Sequence, residues 1–214
     1  MYRGLRLMLF HMGTSERTRA GFVLAGGRSS RMGSDKAFLE FDGQTLLERA
    51  LAVTAAACGR VTIVGDPAKF SKYGPVIADV FPGCGPLGGI HAALANSTAE
   101  SNLMVAVDMP FVTAELLTFL FAAAEKNDAI VTVARAGKGL QPLCAVYRRD
   151  FAAVAEQALR AGEYKVDAVF ASVPTSVIEE SELAAAGFFE QSFFNVNRPQ
   201  DWMAAEGGAR PDCQ

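Results

Sequence analysis

The chain has 214 residues, which suits one domain of ordinary size. Half of the residues are hydrophobic and 20% are charged, a globular composition that excludes a disordered polymer. A net charge of −3 provides no basic field for a nucleic-acid polymer, and two histidines (His11 and His91) exclude a zinc centre built on several histidines.

Within residues 1–19, the first 13 carry two arginines and a short apolar run at 5–10. Arg6 interrupts that run and no small-residue cleavage site follows, so the segment is expected to be a loosely ordered extension, not a signal peptide. No stretch reaches the about 18 uninterrupted apolar residues of a membrane-spanning helix. The cysteines are Cys58, Cys84, Cys144 and Cys213, with no C-x-x-C pair. They read as free thiols of a reducing compartment, which implies a cytoplasmic protein.

Short β-branched runs alternate with Ala/Leu-rich runs. Residues 21–25 (GFVLA) predict a buried strand, followed by a glycine-rich loop. Residues 37–41 form a second apolar run, closed by the Asp42-Gly43 turn signal. Thr45 with Glu48 three residues on predicts a capping box, and Leu46, Leu47, Ala50, Leu51 and Thr54 continue with helical spacing. Strands are expected at 60–64 and 75–78, a helix at 87–95, and a central parallel strand at 103–107 ending on Asp108. Thr113 is placed to cap a helix over 113–124. The second half predicts strands at 129–134 and 142–147 around a Gly-Lys-Gly turn and a helix at 151–161. It also predicts strands at 175–179 and 193–196 and a closing helix at 199–205. The repeated strand–loop–helix order predicts a single-domain α/β fold over 20–205 with a flexible tail at 206–214. Its mixed, mostly parallel sheet is flanked by helices on both faces.

The segment Leu24-Ala25-Gly26-Gly27-Arg28-Ser29-Ser30-Arg31-Met32-Gly33-Ser34-Asp35-Lys36 follows the first strand directly. Ligands of open α/β sheets bind beyond the carboxyl ends of strands. Adjacent glycines let the backbone approach a phosphate, Arg31 offers a planar fork of donors, and Lys36 adds a point charge. The glycine spacing is neither G-x-G-x-x-G nor G-x-x-x-x-G-K-[ST], so the loop is a phosphate loop of a third kind. Asp108, at the end of a buried strand before Met109-Pro110, suits a magnesium site made of a carboxylate plus phosphate oxygens. Position alone leaves it equally suited to holding backbone N–H groups.

The pattern L-A-G-G-x-S-x-R-M-G-x-D-K resembles the signature loop of the molybdenum cofactor guanylyltransferases, the MobA family. The resemblance runs through roughly 20–203. Val105-Ala106-Val107-Asp108-Met109-Pro110 is similar to the family's metal-binding D-x-P, and Val76-Ile77-Ala78-Asp79 to a stretch whose aspartate contacts nucleotide. Gly85-Pro86-Leu87-Gly88-Gly89 resembles the guanine-side segment, and Gln141-Pro142-Leu143-Cys144-Ala145-Val146-Tyr147 the family's H/Q-P-L-x-A-x-Y strand. Asn195-Val196-Asn197-Arg198-Pro199 resembles its N-x-N-x-P.

The resemblance implies a Rossmann-like nucleotidyltransferase fold and transfer of GMP from GTP to the terminal phosphate of molybdopterin. It implies Arg31, Lys36 and Asp108 as catalytic residues. Leu24, Ala25, Gly26, Gly27, Lys36, Asp79, Gly85, Pro86, Leu87 and Asp108 would bind nucleotide. Asp108, with Asn197, would hold Mg²⁺, and Asn195, Asn197 and Lys165 would face the pterin. Proteins that deliver molybdopterin and molybdoenzyme chaperones are the implied partners. By residue type alone, Asn197 fits an Asx turn equally well, Asn195 fits one better, and Lys165 reads first as a solvated lysine.

One departure stands out. Val64 occupies the place of a nucleotide-contacting asparagine, which leaves the backbone of Val64 or Gly65 to replace it. His91 is expected to be a helix-surface or hydrogen-bonded residue, not a catalyst. Trp202, the only tryptophan, is expected to pack the closing helix. A cytidylyltransferase of molybdopterin or of a sugar phosphate, and a non-catalytic nucleotide-binding accessory protein, remain as alternatives. The Gly26-bearing L-A-G-G with G-P-L-G-G favours guanine, and the pairing of Lys36 with Asp108 favours catalysis.

Overall fold

The alternating apolar runs become strands of one sheet, and the Ala/Leu-rich runs become the helices that cover it. The computed structural model describes residues 18–26 and 35–196. Most of the expected N-terminal extension, the closing helix with Trp202, and the tail lie outside the described residues, as does Cys213.

Strand β1 (Arg19–Leu24) leads into the glycine-rich loop. Beyond it, a 3-10 turn (Lys36–Phe38) and a small hairpin of β2 (Glu40–Phe41) and β3 (Gln44–Thr45) turn on Asp42 and Gly43, both at positive φ. Helix α1 (Leu46–Cys58) starts with the expected capping box: Thr45 accepts from the Glu48 N–H and Glu48 accepts from the Thr45 N–H. Then come β4 (Val61–Val64), α2 (Pro67–Phe70), β5 (Val76–Ile77), α3 (Pro86–Ala95) and β6 (Ser101–Ala106). The second half continues with α4 (Ala114–Glu125), capped by Thr113, then β7 (Val131–Ala136), β8 (Gly139–Arg148) and α5 (Phe151–Arg160). It ends in α6 (Val166–Val169), β9 (Thr175–Ile178) and α7 (Glu180–Ala185).

The sheet order is β5-β4-β1-β6-β8-β7-β9. Only β8 runs against the others, because a two-residue connection from β7 can make only an antiparallel pair. Strand parity sends alternate side chains to opposite faces. Phe22, Leu24 and Met104 pack with Leu87, Ile90 and Leu94 of α3 and Phe151 and Leu159 of α5. On the opposite face Val23 packs with Leu46 and Leu47 of α1, and Leu103 and Val105 pack with Leu116, Leu120 and Phe121 of α4. Every residue of β6 is buried, as the apolar run that starts at Leu103 requires of a central strand.

Beside Ser101, Asn102 is a polar exception in β6. It accepts from the Ser97 hydroxyl and donates to the carbonyls of Ala99 and Tyr147 at 3.2 Å each. The sheet thus buries a polar group with its bonds made.

Two expectations change. The predicted strand at 193–196 is the end of a 3-10 turn (Glu190–Phe193) followed by three residues without regular secondary structure. That stretch has no ladder; the Val196 N–H donates to the Asp108 carbonyl at 2.8 Å. The apolar run at 37–41 divides between the 3-10 turn and the hairpin, because Asp35 caps the turn.

The connections position the site. From β1 the chain steps outward to β4 and β5, and α3 then returns it to β6 on the other side of β1. Strand order therefore reverses between β1 and β6, where open sheets bind ligands. The two strands end level, with Leu24 paired to Ala106 and the Val107 N–H donating to the Leu24 carbonyl at 3.1 Å.

Candidate functional site

The carboxyl ends of β1, β4, β5 and β6 open into a cleft of about 950 Å³. Leu24, Ala25, Gly26, Lys36, Asp79, Gly85, Pro86 and Asp108 all line it, so residues from four separate stretches of sequence meet in one place. That volume is in the range of small-molecule sites.

Lys36 owes its position to the turn it opens. The Asp35 carboxylate accepts from the Ala37 N–H at 3.3 Å and pairs with Lys69 of α2 at 3.1 Å. The Phe38 ring sits 5.8 Å from both Phe70 and Tyr73, which fastens the turn to the end of the same helix and the turn that follows it. From there Lys36 Nζ reaches to 3.7 Å from Asp108 Oδ2.

The backbone at and just after Asp108 is held at two points. The Val196 N–H binds the Asp108 carbonyl, and Arg49 Nε donates to the Pro110 carbonyl at 2.5 Å. Phe111 stands edge-on to Phe41 at 5.5 Å and to Phe194 at 6.4 Å. Burial pushes the Asp108 carboxyl above the usual carboxylate range, and the charge of Lys36 opposes that shift. Asp108 thus uses its main chain for structure and keeps its carboxylate for the cleft.

Asp79 stands on the far side. Its Oδ1 accepts from the Phe81 N–H at 2.8 Å, and burial again raises the carboxyl. A Cβ on Gly88 would lie 2.9 and 3.0 Å from its two oxygens, so only glycine admits the carboxylate this close to the first turn of α3. The N-cap of that helix is Gly85 at φ 69, with no capping side chain, so a carboxylate beside the first turn is electrostatically favoured.

The other predicted residues are placed differently. Leu87 is fully buried in the core and does not line the cleft. Asn195 is exposed beside Val196, and Lys165 is exposed at the start of α6; neither lines the cleft. Gly27, Arg31 and Asn197 lie outside the described residues. The backbone groups expected to replace the missing asparagine are engaged in the sheet: the Val64 carbonyl accepts from the Ala25 N–H at 2.9 Å, and the Gly65 N–H donates to Ile77 at 3.0 Å. His91 is not a surface residue. It is 6% exposed, and its Nδ1 finds no hydrogen-bond partner among the described residues.

Two acidic lining residues, Asp35 and Asp66, had no assigned role. Asp35 belongs to the quoted loop, and its place before an apolar run was a capping signal. Asp66 accepts from the Ala68 N–H at 2.9 Å, and Asp66-Pro67 was a helix-start signal too short to stand out.

A profile of the MobA-like NTP transferase domain matches residues 21–177. The chain belongs to the MobA-like NTP transferase family. It is 39% identical over 187 residues to the "Probable molybdenum cofactor guanylyltransferase" of Pelotomaculum thermopropionicum, covering 86% of this chain and 90% of that protein. It is 32% identical over 193 residues to the "Molybdenum cofactor guanylyltransferase" of Desulfosudis oleivorans, covering 89% and 95%. The crystal structure of molybdopterin-guanine dinucleotide biosynthesis protein A from Archaeoglobus fulgidus superimposes with a TM-score of 0.74 at 28% identity, covering 88% and 97%. This MobA-like transferase therefore shares fold and family with its relatives over nearly their whole length.

The donor set suits the magnesium ion that the family implies. Among the described residues no three His, Cys, Asp or Glu side chains gather into a closed protein cage. Asp108 lines the cleft together with Asp35, Asp66 and Asp79, and its carboxylate stands beside Lys36. Magnesium is commonly held by one or two carboxylates together with substrate phosphates and water.

Proposed function

We propose that the protein transfers GMP from GTP to the terminal phosphate of molybdopterin, forming the guanine dinucleotide cofactor and releasing pyrophosphate. The observation that carries this reading is the meeting of Lys36 and Asp108, 3.7 Å apart, at the switch point between β1 and β6. The names borne by its relatives support guanine and molybdopterin as the substrates.

The residues divide the work. The ends of β1 and its loop, Leu24 to Gly26, bring main chain against the nucleotide, and Lys36 neutralises phosphate charge. Asp79, Gly85 and Pro86 form the wall on the base side. Asp108 would hold Mg²⁺, which when bound neutralises charge on the phosphates. An oxygen of the acceptor phosphate attacks the α-phosphorus of GTP. The bond from the α-phosphorus to the bridging oxygen breaks, and pyrophosphate leaves with the electron pair. The nucleophile arrives already charged, so no strong general base is required. Gly27 and Arg31 complete the leaving-group side, Asn197 the metal site, and Asn195 and Lys165 the pterin side in this reading. No helix among the described residues is long and apolar enough to cross a membrane, which is compatible with a cytoplasmic enzyme served by molybdopterin-delivering and chaperone proteins.

The test is pyrophosphate release with each of the four nucleoside triphosphates, with and without molybdopterin and Mg²⁺. Release confined to GTP plus molybdopterin plus Mg²⁺ supports the reading. Preference for CTP, or GTP binding without release, overturns it.

A further inference from the structure

Four side chains close a ring between α3, α5 and the loop that carries Asp79. The Arg160 guanidinium is held by Glu156 at 2.6 and 3.0 Å and lies over the Phe81 ring, 5.8 Å from its centre. Phe81 meets His91 edge to face at 5.1 Å. His91 Nε2 stands 3.9 Å from Glu156 Oε2, which completes the circuit. The Phe81 N–H is the group that holds Asp79 at 2.8 Å, and Asp79 and His91 interact electrostatically.

A histidine here is costly. The rest of the buried face of α3 is apolar, with Leu87, Ile90 and Leu94 fully buried. Leucine at position 91 would bury more apolar surface and leave no ring nitrogen without a partner. Stability alone therefore does not account for the imidazole. What it supplies is a shape and polarity that meet Phe81 on one side and Glu156 on the other, with Asp79 and Arg160 as the other charged groups around it.

We propose that His91 is a positioning residue for the nucleotide site. Braced on α5 through Glu156, it fixes Phe81, and Phe81 fixes where the Asp79 carboxylate stands in the cleft. This inference rests on the reading that Asp79 contacts the nucleotide.

Steady-state pyrophosphate release by the full chain, with GTP varied, tests it. His91→Leu is expected to raise the KM for GTP by about 5- to 10-fold and to leave kcat at saturating GTP within about 2-fold; His91→Gln recovers most of the loss. A loss of kcat with unchanged KM, accompanied by a lower Tm, overturns the inference and makes His91 a packing residue. Should His91→Leu not fold, Arg160→Gln on the exposed face of α5 carries the test: KM rises by about 2- to 3-fold if the ring matters, and an unchanged KM overturns the proposal. Asp79→Asn is assayed in parallel. If it leaves KM unchanged, the reading of Asp79 fails and takes the inference with it. If it raises KM while His91→Leu does not, the inference alone fails.

Discussion

Lys36 Nζ stands 3.7 Å from Asp108 Oδ2 although 72 positions separate them in the chain. The pair forms only because β1 and β6 are neighbours that end level. Asp108→Asn keeps the shape of the side chain and removes its charge. Turnover is expected to fall by at least about 10²- to 10³-fold, since charge neutralisation at the phosphates is lost. Pyrophosphate release at saturating Mg²⁺ measures it; retention of wild-type turnover with ordinary Mg²⁺ dependence would remove Asp108 from the mechanism.

The same pair sets a pH dependence. The ionised form of Asp108 is the working form. Burial raises its carboxyl above the ordinary value of 3.8, and Lys36 pulls it back down. Activity is therefore present at high pH and lost as pH falls through a point above that of an exposed aspartate. Lys36→Met removes the downward pull, so the acid limb of the residual activity moves to higher pH. Paired pH–rate profiles of kcat/KM check the direction, and a shift to lower pH would contradict it.

Gly88→Ala sets two effects against each other. Alanine is the better helix former by about 1 kcal/mol. Its Cβ, however, would meet both Asp79 oxygens at 2.9–3.0 Å and the Phe81 carbonyl at 3.0 Å. Backbone cannot move away cheaply, so the clash wins, with a net loss of about 1–2 kcal/mol and a raised KM for GTP. Urea unfolding combined with nucleotide titration measures both.

Asn102 offers the converse, a stability change without a site change. Asn102→Ala strands the Ser97 hydroxyl and the carbonyls of Ala99 and Tyr147. The expected loss is about 2–4 kcal/mol in denaturant unfolding. Asn102 lies near the amino end of β6, away from the cleft, so the KM for GTP is expected to stay at its wild-type value.

Much of this was legible in the sequence, for identifiable reasons. The capping box at Thr45 and Glu48 is a local signal between near neighbours, and it formed as written. The unbroken apolar run at 103–107 marked a central strand, and Asp108 followed it into the cleft. Three features were not legible. The burial of His91 depends on α5 packing across α3. The engagement of Val64 and Gly65 depends on parallel pairing with β1 and β5. The short α2 matters because Lys69 and Phe70 reach back to the turn that carries Lys36. Each joins residues far apart in the chain, and no local pattern encodes such a meeting.

The reversal of strand order has a consequence for how this chain tolerates change. Among the described residues, all that line the cleft apart from Leu143 come from positions 24–108. The strands from β7 onward extend the sheet on the other side of β6 and leave the nucleotide walls to the first half. In the proposed reading, substitutions from β7 onward therefore leave the walls that face the nucleotide in place.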